Sequence, residues 1–141
     1  MRGNKFYFTI LALTLSLAFG CVSKIIEQKK EDLLVNLITG NTWIMRSFYE
    51  GPTDLTSGFE GYEFKFNTDG TVYGTKPGFP NAVGTWAGNT STMSVQSNFP
   101  AETGVFKKLN GTFNITSTTP TEVKANRFES AVEYKLHLVI K

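Results

Sequence analysis

Only one cysteine and one histidine, Cys21 and His137, occur in 141 residues. A single Cys excludes a disulfide within one copy. Catalytic dyads and metal sites need several His, Cys or carboxylate groups converging, so no metal, cofactor or catalytic residue is expected. No Gly-rich loop leads into a helix, which removes the usual phosphate cradle. Charge is also scarce, at 18% of residues, and its sign is balanced. Two of the 14 basic side chains, Arg2 and Lys5, precede the first apolar run; the other 12 match the 12 acidic ones. A neutral domain offers no basic stripe to a nucleic-acid backbone, so no nucleic-acid partner is expected.

The long apolar run is confined to the N-terminus. Residues 6–20, "FYFTILALTLSLAFG", follow the charged start and end at Cys21. A charged beginning and an apolar stretch of this length read as an export signal. Residues 6–23 are slightly short for a spanning helix, which wants about 20 apolar residues. With Gly20 directly before Cys21, the segment resembles a bacterial lipoprotein signal. That resemblance implies acylation of Cys21, palmitate included, and cleavage before it. It implies a membrane partner through the lipid and residence in the envelope of a Gram-negative bacterium, at the outer membrane or facing the periplasm. A simple cleaved signal and an uncleaved anchor are the alternatives; all three export the domain.

The spacing in 24–39 predicts one amphipathic helix with Ile26, Leu33, Leu34, Leu37 and Ile38 on one face and Gly40 as its stop. Its partner is either the domain or a membrane surface. From Thr42 the period becomes two. "GYEFKFN" alternates Tyr62, Phe64 and Phe66 against Glu63, Lys65 and Asn67, and "NTDG" follows as a hairpin turn. Further strands are expected in "TVYGT", "AVGTWAG", "TMSVQSN", "FKKLNGTFNITST", "EVKANRF" and "AVEYKLHLVIK", after a first in "TWIMRSFYE". Eight strands in a meander leave exposed edges unless they close into a barrel. The alternation places Trp43, Met45, Tyr62, Phe64, Phe66, Val72, Trp86, Met93, Val95, Phe113, Ile115, Tyr134, Leu136, Leu138 and Ile140 inside. His137 falls out of phase and points outward.

"LITGNTWIM", "EGYEFKFNTDGTVYG" and "VGTWAG" together resemble the small lipocalin-like lipoproteins of Gram-negative bacteria. The resemblance implies an all-β fold: an eight-stranded up-and-down antiparallel lipocalin-like barrel preceded by one short α-helix. The expected organisation is a signal over 1–20, the lipidated Cys21 and helix over 21–40, and the barrel domain over 41–141. It implies binding of a small apolar molecule or lipid, without catalysis, with Trp43 closing the barrel floor near the helix. The alternative is a filled barrel that serves a protein partner as an inhibitor or interaction module.

Candidate ligand or core residues are Trp43, Phe64, Trp86, Arg127 and Tyr134. An eight-stranded interior is either just filled by side chains or holds one small ligand, so both Trp residues read as plugs or as stackers. Arg127 points inward if Val123 and Ala125 do, where it could meet a carboxylate or stack on Trp43; the opposite phase buries Phe128. Phe79 and Phe99, each beside a proline, are candidate loop contacts or loop anchors. Enzyme chemistry would require Glu60, Glu63 and Asp69 to meet in one cleft.

Overall fold

The computed structural model describes residues 32–141 together with Ile26, Gln28 and Lys29. The expected signal segment and Cys21 lie outside the described residues. Helix α1 covers 32–40. The strands are β1 (Thr42–Glu50), β2 (Thr53–Asp54), β3 (Glu63–Phe66), β4 (Thr71–Thr75), β5 (Ala82–Asn89), β6 (Ser94–Asn98), β7 (Gly111–Thr119), β8 (Glu122–Glu129) and β9 (Val132–Ile140). A 3-10 turn at Thr56–Phe59 and the short helix α2 at Gly104–Lys107 fill two connections. Every neighbouring pair is antiparallel, and β1 also pairs with β9. Eight strands therefore form a closed up-and-down barrel, with β2 a two-residue extension paired to the end of β1. Closure satisfies the edges that an open meander would expose. The expected fold class holds.

The hairpins follow from their turns. Asn67 N–H donates to Thr71 O at 2.8 Å, Asp69 Oδ1 accepts from Thr71 N–H at 2.9 Å, and Gly70 has a φ of 82°. The β8–β9 turn is tighter, with Ser130 and Ala131 both left-handed at φ 48° and 66°. Two left-handed centres match the twist of the flanking strands, although neither residue is glycine. At Gly84 the reason for glycine is space. A Cβ there would sit 2.6 Å from the Asn98 carbonyl and 2.8 Å from the Phe99 ring.

Helix α1 covers one barrel end through Leu34 and Ile38, both buried, while Leu33 is 70% exposed and Ile26 49%. The apolar face is thus narrower than the spacing suggested. Gly40 does not adopt a left-handed stop and is itself helical. Side chains satisfy the last carbonyls instead, as helix ends require. Asn41 Nδ2 donates to Leu37 O, Trp43 Nε1 to Ile38 O and Lys65 Nζ to Thr39 O.

The other end is closed by aromatics from connections. Phe106 of α2 meets Phe59 at 5.3 Å, Phe99 at 5.6 Å and Tyr62 at 4.9 Å between ring centroids, all edge-on. Edge-to-face pairing suits the ring quadrupoles. Three expectations about the wall need correction. The segment "FKKLN" is not strand: it holds the end of α2 and its exit, and β7 starts at Gly111. Met93 is not inside; it sits in a turn at φ 48° and is 40% exposed. Phe48, absent from the alternating set, is fully buried. A bulge between Met45 and Ser47 shifts the register against β9, so the chain faces inward at 43 and 45 and again at 48.

Candidate functional site

Between the two plugs lies a cavity of about 70 Å³. Trp43, Met45, Phe64, Phe113, Leu136 and Leu138 are among its walls. Among the described residues Ser97 is its one polar side chain, and the Ser97 hydroxyl donates to the Leu109 carbonyl. Of the ligand candidates, only Trp43 and Phe64 line this space. Trp86 lies nearer α1, where Gly88 approaches both its ring and Leu34. The Trp43 and Trp86 indole N–H groups donate to Ile38 O at 2.9 Å and Asn67 O at 2.8 Å. Both rings are thereby held by the backbone at the helix-covered end.

Arg127 takes the inward phase. Val123 and Ala125 are buried and Phe128 is 66% exposed. The guanidinium does not reach Trp43, the ring suggested for it. It lies 4.2 Å over the Tyr134 ring and 5.2 Å over Phe113, where ring quadrupoles attract a cation. Trp43 is at the far end of the barrel, so strand length alone separates the two. Arg127 Nη2 donates to Lys108 O at 3.0 Å and Nη1 pairs with Glu129. Gly111 makes room for its stem, since a Cβ there would sit 3.0 Å from Arg127 Cδ.

Tyr134 joins a polar cluster at the same end. Its hydroxyl donates to Glu50 Oε1 at 2.6 Å, and Lys108 Nζ donates to Glu50 Oε2 at 2.8 Å. The Lys108 hydrogen bond and then the Tyr134 hydrogen bond hold the Glu50 carboxyl below its ordinary range. The same pairing with Glu50 raises both Lys108 and Tyr134. Lys107, Lys108, Arg127, Glu129 and Tyr134 border an open groove here.

A second groove, about 430 Å³ and open to solvent, runs between β1 and the 3-10 turn. Ile44, Met45, Thr56, Ser57, Phe59 and Tyr62 border it, with Glu60 and Glu63. Two of the three carboxylates named for catalysis therefore share a cleft. Asp69 does not join them; it sits in the β3–β4 turn at the helix-covered end, and Glu63 is tied to Lys141 at 2.7 Å.

The loop candidates part ways. Phe79 is 56% exposed, with Lys76 Nζ 4.7 Å over its ring. Phe99 is not a surface contact: it is 2% exposed and lines the cavity. His137 points outward and shares a 2.9 Å hydrogen bond with Glu122. Sequence reasoning missed Phe59, Phe106, Glu50 and Lys108. The two Phe residues stand alone in aperiodic connections. Glu50 and Tyr134 are opposite each other only because β1 closes on β9.

No protein-family model and no curated protein matches this chain. Among solved structures, a DUF4847 family protein from Bacteroides vulgatus superposes with a TM-score of 0.54. The match covers 75% of this chain and 96% of that one, at 14% identity. The likeness to that protein is one of barrel fold.

Proposed function

We propose that this chain is an exported, lipid-anchored and non-catalytic binding protein of the lipocalin-like kind. It takes a small apolar molecule, or the end of a lipid chain, into its barrel at the cell envelope. The observation that carries this reading is the apolar cavity between the plugs. Cores are packed close to crystal density and keep few voids larger than a water, so an empty space of about 70 Å³ is a departure from a fully filled barrel. Its size bounds the ligand. An engineered cavity of about 150 Å³ takes benzene, so the resting space accepts only a few carbons. The one hydroxyl in the wall is already committed to a carbonyl, which leaves burial of apolar surface as the driving force. The sequence up to Cys21 supports the anchor.

Native mass spectrometry of the protein with extracted envelope lipids tests the binding. One apolar adduct per chain is expected, and its absence together with an unshifted melting temperature contradicts the reading. Palmitate labelling tests the anchor: label should vanish in Cys21→Ala, and equal labelling of both proteins contradicts it. A second reading, a surface for a protein partner, is favoured by the exposed Phe128 and Val132 flanking the β8–β9 turn and by Phe79.

A further inference from the structure

The shortest ladder in the barrel wall is the seam that joins β1 to β3, against four residue pairs in each of the β3–β4, β4–β5 and β6–β7 ladders. β1 pairs with β9 through seven residue pairs but with β3 through only three, Thr42 to Ile44. On that side it next meets a strand at Tyr49, opposite β2. Between them, Phe48 N–H donates to Thr56 Oγ1 and Phe48 O accepts from Leu55 N–H. Among the described residues, Met45, Arg46 and Ser47 have no strand partner on this side. The groove between β1 and the 3-10 turn opens at this gap. The bulge that breaks the register with β9 falls at the same residues.

Behind the seam lies the cavity, and Met45 borders both spaces. Among the described residues it is the one common to their walls. Met is unbranched and turns easily between rotamers, which suits a movable partition. Access through either barrel end demands more. The helix-covered end is held by the Trp43 and Trp86 indole hydrogen bonds. The opposite end is held by the Phe106 stack and the Glu50 cluster. Turning Met45 breaks none of these hydrogen bonds.

We propose that this lateral seam is the ligand site's access route and outer half. The ligand is an unbranched alkyl chain with an uncharged polar head. Its terminal carbons pass Met45 into the cavity, and the rest lies along Ile44, Phe59 and Tyr62. The head stays at the rim, which Thr56, Ser57 and Glu60 border. An unbranched chain fits because the inner space is small and Met45 alone among the described residues borders both it and the groove. A carboxylate head is disfavoured beside the Glu60 carboxylate, while Glu63 is already paired with Lys141.

This inference rests on the binding function proposed above, and one experiment separates the two. The full chain in membranes is irradiated with a long-chain alcohol carrying a terminal diazirine, and adducts are mapped by peptide mass spectrometry. Label is expected on Leu138 and Phe64 inside the barrel. It should be lost in Met45→Trp, and equally in Ser57→Trp, which blocks the groove from an exposed position that does not touch the core. It should rise in Met45→Ala. The same chain with a carboxylate head should label less. Interior label unchanged by Ser57→Trp overturns the seam and leaves interior binding standing. No interior label in the wild type overturns both.

Discussion

Ala125→Val should stabilise the protein while abolishing ligand uptake. Ala125 is 6% exposed on β8 and borders the cavity of about 70 Å³. Valine adds two carbons there. At about 0.8 kcal/mol for each methylene buried, the gain is roughly 1.6 kcal/mol. The cavity itself sets a similar ceiling: about 24 cal/mol per Å³ over about 70 Å³ gives roughly 1.7 kcal/mol. These are two views of one void and do not add. Some strain on neighbouring rotamers reduces the gain, so about 1 kcal/mol is expected. For a domain of this size that raises the melting temperature by about 4 °C. Urea unfolding, with an unchanged slope, measures the difference. An unchanged or lower stability would mean that the wall has no room for two carbons, and would refute the reasoning.

Three further outcomes follow from particular residues. Gly84→Ala puts a methyl against the Asn98 carbonyl and the Phe99 ring; it should destabilise by about 3 kcal/mol, and a loss under about 1 kcal/mol in urea unfolding would show that the strands yield. Ala131→Gly should stabilise by roughly 0.5 kcal/mol, because it removes the cost of a left-handed alanine at the β8–β9 turn; thermal unfolding at or below the wild-type temperature would contradict it. Glu50→Gln should flatten the acid limb of the stability curve. The folded-state pKa of Glu50 lies below its ordinary 4.5, so its contribution is present above about that pH and is lost as pH falls through the depressed value. Asp54, Asp69, Glu122 and Glu133 are also lowered, so the limb becomes shallower without disappearing. An unaltered slope as pH falls below about 4.5 would contradict the role given to Glu50.

Strand positions were legible where alternation was unbroken. Phe64 and Phe66 face inward because β3 is short and regular, and the Asp-Gly turn sets its pairing with β4. Legibility ended at bulges. Arg46 is the extra residue that turns Phe48 inward, and no composition signal distinguishes it from its neighbours. The plugs were hidden for a different reason. Phe59 and Phe106 are single aromatics in connections, and a lone aromatic carries no period; only the closed barrel gives them an end to fill, whereas Phe99 beside Pro100 was readable as a loop anchor. Arg127 could be placed on its strand but not assigned a partner, since Tyr134 and Phe113 reach it from β9 and β7. The seam beside Met45 depends on where two short ladders stop, which is a property of the backbone pairing rather than of any motif.

Native mass spectrometry of the wild-type chain and its Ala125→Val variant, side by side with the same long-chain alcohol, tests the central claim most directly. The account predicts one bound molecule on the wild type and none on the variant. No bound molecule on the wild type, or equal occupancy on both, would contradict a ligand site inside this barrel.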